Sequence, residues 1–198
     1  MADPTTLAAA KTALRAAVLA ARNALTPEAR QALDQRITEK LCALAEWRNA
    51  QCVLAYASFG SEFGSAAFID RTLVAGKQLC LPRVARNPSR LTIHRVADPA
   101  HDLAPGAYGI REPRSEICQE VALDQIDFVL VPGVAFTARG ERLGYGEGFY
   151  DRLIEAFPAR PFLVAAAYEL QLRESLPFDE HDRTLDSIIT ETAAYVDT

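Results

Sequence analysis

Residues 127–152, DFVLVPGVAFTARGERLGYGEGFYDR, decide the fold. Residues 127–131 form a continuous apolar run, which is typical of a strand that is buried on both faces of a parallel sheet. A glycine-rich loop follows, and residues 150–157 are predicted to form a short helix. The stretch therefore predicts a strand, a loop and a helix in succession, which is the repeating unit of an α/β protein.

The rest of the chain alternates in the same way. Further strands are predicted at residues 52–57, 78–84, 91–96, 162–167 and 187–190. Helices are predicted at residues 7–25, from Thr26 through an apolar stripe that ends at Leu44, and at residues 65–75, while residues 97–125 are rich in loops. Continuous apolar strands between helices predict an α/β fold with a mainly parallel sheet covered on both faces. In such folds, ligands bind beyond the carboxyl ends of the strands.

The length of 198 residues suits one domain, or at most one domain with an appendage, and a single domain is expected over residues 1–198. The chain is 49% hydrophobic and 24% charged, and 21 basic against 26 acidic residues give a net charge of −5. This acidic balance gives no electrostatic support for binding nucleic acid, and no apolar run approaches the ~20 residues that span a bilayer. We therefore expect a monomer that acts on small molecules, without nucleic acid or membrane as partners.

The four cysteines predict neither a zinc site nor a disulfide framework. Cys42, Cys52, Cys80 and Cys118 form no C-x-x-C pair, and the histidines are distant from them in sequence. A structural zinc site needs closely spaced ligand pairs. Two basic residues interrupt the alanine-rich start, which argues against a secretory signal, although a cleaved organellar presequence is an alternative for this stretch. The cysteines are thus expected to be free thiols of a reduced, cytoplasmic protein.

A candidate phosphate site lies between the strand at residues 127–131 and the helix that follows. Gly144, Gly146 and Gly148 occupy alternate positions there, and Arg142 lies just upstream. Glycines allow backbone N–H groups to approach an anion, and the start of the next helix adds further N–H groups. Arginine binds phosphate oxygens through two parallel hydrogen bonds. A flexible turn is the alternative, because no general nucleotide motif is matched.

Two carboxylates are candidate ligands of a divalent cation. Asp151 begins the helix after the glycines, where the helix dipole favours a carboxylate with or without a metal. A carboxylate alone would repel a triphosphate, but Mg²⁺ commonly binds one or two carboxylates together with phosphate oxygens. Residues 181–186 offer a second carboxylate in Asp186, which the sequence does not place next to Asp151.

Charged side chains elsewhere are candidates to complete the site. Lys11 and Arg15 are four residues apart and share one face of the first helix, where an anionic ligand would offset their mutual repulsion. A solvated helix face is the alternative. Glu62 follows the first apolar strand, and is either a substrate contact or an exposed loop residue.

The motifs VPG, AF, G-x-RLGYG-x-G and YDR within residues 127–152 resemble the signature of the 5-formyltetrahydrofolate cyclo-ligase family, also called methenyltetrahydrofolate synthetase. Weaker motifs follow the order of this family along nearly the whole chain. They are Lys11-x-x-Leu14-Arg15, Glu62, Leu81-Pro82-Arg83, Gly109-Ile110-x-Glu112-Pro113, His181-Asp182 and Asp186-Ser187-Ile188-Ile189-Thr190-Glu191.

The resemblance implies a three-layer sandwich similar to that of sugar-phosphate isomerases and CoA transferases. It also implies a ligase that uses ATP and Mg²⁺ to convert 5-formyltetrahydrofolate to 5,10-methenyltetrahydrofolate through an iminium phosphate. Lys11 and Arg142 would be catalytic, and Asp151 and Asp186 would bind Mg²⁺. The implied ATP-binding residues are Lys11, Arg15, Arg142, Leu143, Gly144, Tyr145, Gly146, Glu147, Gly148, Phe149 and Tyr150. The implied substrate-binding residues are Glu62, Tyr145, Gly146, Gly148 and Phe149.

Three residues depart from the pattern of the family. Glu147 stands where Gly or Lys is usual, Phe149 replaces the first Tyr of a YYD motif, and Thr137 replaces a common Asp. A folate- or nucleotide-binding paralogue with little turnover is therefore the alternative function. A further alternative is an enzyme of the same architecture that acts on a phosphorylated sugar or a CoA ester.

Overall fold

A computed structural model of the chain describes residues 4–86, 89–177 and 182–196. Within these ranges the helices are α1 (Pro4–Asn23), α2 (Pro27–Ala43), α3 (Ala45–Asn49), α4 (Ala66–Val74), α5 (Pro99–Asp102) and α6 (Phe149–Ala156). The strands are β1 (Cys52–Leu54), β2 (Gln78–Arg86), β3 (Ser89–Arg95), β4 (Leu103–Pro105), β5 (Arg111–Pro113), β6 (Phe128–Leu130), β7 (Ala135–Phe136), β8 (Arg142–Leu143), β9 (Phe162–Ala166), β10 (Ser187–Ile189) and β11 (Ala194–Val196).

The central sheet of the described residues has the strand order β11-β10-β9-β6-β1-β2-β3. Neighbouring strands from β10 to β2 run parallel. The two edge strands, β3 and β11, are antiparallel to their neighbours. The predicted α/β fold with a mainly parallel sheet is therefore confirmed.

The strand β6 shows why its sequence is continuously apolar. Phe128 and Leu130 belong to a core cluster that includes Phe68 of α4, on one face of the sheet. Val129 and Val131 belong to a second cluster on the other face, which is covered by α6. Successive residues of a strand point to opposite faces, so a strand with helices on both sides needs apolar residues at every position.

The start of α2 follows from its local sequence. The Thr26 hydroxyl accepts a hydrogen bond from the Ala29 N–H at 3.2 Å, and Pro27 occupies the first helical position. The hydroxyl satisfies one of the N–H groups that a helix start leaves unpaired, and proline has no N–H to satisfy. Ile37 and Leu41 of the predicted stripe are fully buried. The predicted helix start is therefore confirmed.

The four cysteines are free, and Cys52, Cys80 and Cys118 are buried, where a thiol packs as a small apolar group.

In the part of the chain that the structure describes, no helix combines the length and the apolar character that crossing a bilayer requires.

Candidate functional site

A cavity of about 400 Å³ lies beyond the carboxyl ends of β1 and β6, where an α/β sheet is expected to bind ligands. Its size falls within the range of small-molecule sites. The residues that line it come from α1, from the segment after β1, from β2 and β3, from the β4–β5 hairpin, and from β8 with the loop and helix that follow it. They include Arg15, Tyr56, Phe59, Glu62, Pro82, Val84, Leu91, Tyr108, Ile110, Glu112, Arg142, Asp151 and residues 144–150.

The glycine loop (residues 144–148) connects β8 to α6. Gly146 and Gly148 have φ angles of +113° and +65°, which residues with a side chain rarely adopt. Gly148 is the N-cap of α6 and, lacking a side chain, forms no side-chain hydrogen bond to the first N–H groups of the helix. Phe149 and Tyr150, which carry the first of these groups, line the cavity. The loop and helix therefore offer N–H donors to an anion.

Arg142 is buried beside this loop, with 4% of its surface exposed. Its Nη2 donates to Asp151 Oδ1 at 2.5 Å, and its Nη1 donates to the Pro132 carbonyl at 3.3 Å. Its Nε is buried and has no hydrogen-bond partner among the described residues. A Cβ atom at Gly144 would lie 2.7 Å from Arg142 Nη1, so only glycine fits there without displacing the guanidinium. Arg142 thus retains a buried donor for a ligand.

Of the two basic residues of α1, one reaches the glycine loop. The Arg15 Nε donates to the Gly144 carbonyl at 2.7 Å, and Arg15 lines the cavity. Lys11 forms an ion pair with Asp182, whose Oδ2 lies 2.7 Å from Nζ. His181, the other residue of the predicted His-Asp motif, lies outside the described residues. The shared helix face therefore points toward the carboxyl-terminal segment as well as toward the loop.

Glu62 is buried in the cavity wall, which makes the exposed-loop interpretation wrong. Only 6% of its surface is exposed. Its Oε2 accepts a hydrogen bond from the Phe59 N–H at 3.0 Å, whereas its Oε1 is buried without a partner among the described residues. Burial raises the pKa of Glu62, against the opposing effects of Tyr145 and the Phe59 N–H. The carboxyl group can therefore hold a proton more readily than an exposed one, and has an unpaired oxygen for a ligand.

Aromatic side chains form much of the remaining wall. The ring centroids of Phe59 and Tyr145 are 5.3 Å apart, and both residues are partly exposed to the cavity. The Tyr150 hydroxyl is buried without a partner among the described residues. Burial and the charge of Glu62 raise the pKa of Tyr150, so this phenol stays protonated and can donate. The wall therefore suits a flat ligand with a few polar atoms.

The β4–β5 hairpin supplies a cavity wall that the sequence predicted only as loop. Tyr108 has a φ of +58° and 70% of its surface exposed, and lines the cavity with Ile110. The buried Glu112 carboxylate accepts hydrogen bonds from the Ala107 and Val84 N–H groups at 3.2 and 3.4 Å, which fastens the hairpin to β2. The motif at residues 109–113 was the available signal, but the sequence does not show which strand the hairpin contacts.

Of the three residues that depart from the family pattern, two border the cavity and one is buried in a turn. Glu147 is exposed at the edge of the cavity, and Phe149 lines it. Thr137 is buried in the β7–β8 turn, where its hydroxyl accepts from the Glu141 N–H at 3.3 Å. Leu143, predicted to bind ATP, is 3% exposed and packs against α1. The side chain of Leu143 is thus a core residue, and only its backbone borders the glycine loop.

Asp186, which the resemblance implied as a second Mg²⁺ ligand, does not lie beside Asp151. Asp186 precedes β10 and accepts a hydrogen bond from the Leu163 N–H, near the start of β9, at 2.7 Å. Its Oδ1 lies 2.9 Å from Arg160. β9 and β10 are parallel, so these contacts lie at the amino ends of the strands, whereas Asp151 lies with the glycine loop beyond the carboxyl ends. Asp186 therefore forms an ion pair with Arg160 and accepts a hydrogen bond at the start of β9.

Comparison with known proteins gives a consistent assignment. Residues 7–191 match the model of the 5-formyltetrahydrofolate cyclo-ligase family. The chain is 32% identical over 176 residues to a protein of Escherichia coli K12 named 5-formyltetrahydrofolate cyclo-ligase, covering 85% of this chain and 93% of the relative. It is 27% identical over 194 residues to the Mus musculus protein of the same name, covering 94% and 96%.

Solved structures agree with the sequence relatives. The fold matches the NMR structure of Aquifex aeolicus 5,10-methenyltetrahydrofolate synthetase with a TM-score of 0.84 and 34% identity, covering 94% of this chain and 92% of that chain. It also matches a 5,10-methenyltetrahydrofolate synthetase from Mycoplasma pneumoniae with a TM-score of 0.74 and 25% identity, covering 91% and 98%. This chain belongs to the 5-formyltetrahydrofolate cyclo-ligase family.

Proposed function

We propose that this chain converts 5-formyltetrahydrofolate and ATP to 5,10-methenyltetrahydrofolate, ADP and phosphate. The observation that carries the proposal is one cavity lined both by an anion-binding loop with a buried arginine and by the buried carboxyl group of Glu62. The names of the relatives supply the identity of the folate substrate. The two walls suit the two substrates that such a ligase brings together.

The glycine-loop wall is assigned to the nucleotide. The N–H groups at the start of α6 and the guanidinium groups of Arg15 and Arg142 would bind the phosphates. Lys11, on the same face of α1 as Arg15, would add a further positive charge once a phosphate competes with Asp182. The unpartnered Nε of Arg142 supports this assignment, because a phosphate oxygen would satisfy it.

The rest of the cavity wall, together with the Tyr145 side chain of the glycine loop, is assigned to the folate. Tyr56, Phe59 and Tyr145 offer aromatic surface for a planar ring system. Glu62 would contact the pterin or its formyl group through Oε1, which is left without a partner by the residues that the structure describes. Tyr150, in the first turn of α6, lines the cavity, and its buried hydroxyl would donate to a ligand oxygen.

The chemistry needs little from protein nucleophiles. The formyl oxygen attacks the γ-phosphorus of ATP, the bond to ADP breaks, and an iminium phosphate forms. The second folate nitrogen then attacks the formyl carbon, loses its proton, and phosphate leaves with the former formyl oxygen. Phosphoryl transfer depends on positioning and on neutralising charge. Arg15, Arg142, Lys11 and the loop N–H groups would supply both.

The residues fit Mg²⁺ that arrives with the nucleotide. Asp151, in the first turn of α6, would supply a carboxylate oxygen to Mg²⁺, which commonly takes one or two carboxylates plus phosphate oxygens. Within residues 4–86, 89–177 and 182–196, no cluster of three or more His, Cys, Asp or Glu residues would hold a metal without a substrate. When bound, Mg²⁺ would neutralise phosphate charge. Asp186 is not part of this site, because it lies at the other edge of the sheet.

Mixing the protein with 5-formyltetrahydrofolate, ATP and Mg²⁺ and following methenyl absorbance tests the proposal. We expect the absorbance to rise only when both ATP and Mg²⁺ are present. Tight folate binding without turnover would instead identify a paralogue that binds without catalysis. Neither binding nor turnover would leave an enzyme that acts on a phosphorylated sugar or a CoA ester.

Lys11→Ala is expected to raise the KM for ATP about ten-fold or more and to leave the KM for folate nearly unchanged. The reason is that a hydrogen bond to a charged group contributes about 1.5–3 kcal/mol, and Lys11 is assigned to phosphate alone. Steady-state kinetics with each substrate varied in turn measures both constants. Lys40→Ala, on α2, is the control and should change neither. Equal increases in both KM values would contradict the assignment of Lys11.

A further inference from the structure

Arg22, near the end of α1, is a buried cation behind the cavity wall. Only 2% of its surface is exposed. The ion pairs between described residues do not include it. A buried charge is unfavourable unless hydrogen bonds replace its hydration. The contacts of the guanidinium group therefore decide what this residue does.

The guanidinium group joins three separate segments of the chain. Its Nη2 donates to the Tyr145 hydroxyl of the glycine loop at 2.8 Å. Its Nε donates to the Ser61 hydroxyl in the loop that carries Glu62, at 3.0 Å. Its Nη1 lies 3.5 Å from the Gly133 carbonyl, after β6. The Ser61 hydroxyl in turn donates to Asn23 Oδ1 at 2.5 Å, which ties the Glu62 loop to α1 a second time.

The two loops that Arg22 joins also contact each other inside the cavity. The Tyr145 ring packs against Phe59, and the Phe59 N–H donates to Glu62 Oε2. The Arg22 guanidinium carbon lies 6.0 Å from the centre of the Tyr145 ring. A displacement of the Tyr145 hydroxyl would therefore move the ring that supports Phe59, and with it the backbone group that holds the Glu62 carboxylate.

We propose that Arg22 is a positioning residue that fixes the folate wall of the cavity by holding Tyr145 and Ser61 at the same time. The inference rests on the proposed function, since it assigns this wall to the folate. The planar guanidinium directs separate N–H groups to the two hydroxyls, whereas a lysine ammonium is a single point on a flexible stem. Arg22 is thus required for its geometry as well as for its charge.

The first test compares Arg22→Lys with Arg22→Met in the ligase assay. We expect both variants to lower kcat/KM for 5-formyltetrahydrofolate by at least ten-fold, with less than a three-fold change in the KM for ATP. Lysine should restore only a small part of the loss. Arg139→Lys, at an exposed position, is the control and should leave both parameters unchanged. A similar loss for both substrates would show a general effect on folding and overturn the proposal.

The second test is a double-mutant cycle with Tyr145→Phe, which removes the hydroxyl that Arg22 holds. If Arg22 acts through this hydroxyl, Arg22→Lys should cost less than three-fold in the Tyr145→Phe protein. If the loss in kcat/KM of the double variant equals the product of the two single losses, the proposal is overturned. Thermal unfolding of each variant checks that it is folded. The cycle uses Arg22→Lys and Tyr145→Phe, so it can be completed even if Arg22→Met does not fold.

The cycle also separates this inference from the proposed function. If the wild-type protein turns over and the Arg22 and Tyr145 losses multiply, only the role of Arg22 is wrong. If the wild-type protein shows no turnover, the proposed function is wrong. The same four proteins can then be titrated with 5-formyltetrahydrofolate, and coupled losses in Kd would still support the positioning role, whereas independent losses would exclude it.

Discussion

Arg142→Met is expected to lower kcat/KM of the ligase reaction by about 10³-fold, which is the lower range for arginines that stabilise phosphoryl transfer. The variant removes a buried cation from the phosphate wall and leaves Asp151 without its ion-pair partner. The loss of this cation leaves less positive charge to stabilise the transferring phosphoryl group. Steady-state kinetics with ATP and 5-formyltetrahydrofolate, at saturating Mg²⁺, measures the loss.

Arg160→Met is the matched control for this prediction. It makes the same replacement and breaks an arginine–aspartate ion pair of 2.9 Å, but at the amino ends of β9 and β10. We expect less than a three-fold change in kcat/KM, because an exposed ion pair contributes little to stability and this one lies outside the cavity. A loss of less than ten-fold for Arg142→Met, or equal losses for both variants, would contradict the assignment of Arg142.

Gly146→Ala is expected to raise the KM for ATP by about 10- to 100-fold. A residue with a side chain at the φ of +113° found here is strained by roughly 1–3 kcal/mol, and the loop would relieve the strain by moving its N–H groups. Steric overlap does not explain the effect, because the nearest atom to an added Cβ would be Arg15 Cζ at 3.6 Å. Kinetics with ATP varied measures the result.

Gly76→Ala provides the control for backbone strain. Gly76 follows α4 with a φ of +72°, and an added Cβ would meet no atom within 4 Å. We expect thermal stability to fall as in Gly146→Ala, while the KM for ATP stays at the wild-type value. An unchanged KM for ATP in Gly146→Ala would show that the backbone of the glycine loop does not bind the phosphates.

The site was predicted well wherever its residues are close together in sequence. Arg142, the glycine loop and Asp151 span only ten positions, and their order on β8, loop and α6 follows from local backbone preferences. Alternating glycines permit positive φ angles, and the helix start after them supplies N–H groups. The sequence therefore predicted a glycine-rich turn followed by a helix start, and the structure places both at the cavity.

The site was predicted less well wherever it depends on distant contacts. Asp186 looked like a partner of Asp151, but the direction of β9 and β10 places it at the opposite edge of the sheet. Glu62 was equally consistent with an exposed loop, because its burial depends on how α1 and the glycine loop cover it. Arg22 gave no signal at all, since an arginine near a helix end is normally solvated.

The sequence by itself determined the α/β class, the parallel core strands and the glycine-rich turn that precedes α6, because apolar runs, glycines and helix starts act over a few neighbouring residues. Only the tertiary structure decided which polar and charged side chains contact each other. It paired Arg142 with Asp151, Lys11 with Asp182 and Arg22 with Tyr145, across separations of 9, 171 and 123 residues. Such pairings depend on strand order and on helix placement, which no local preference specifies.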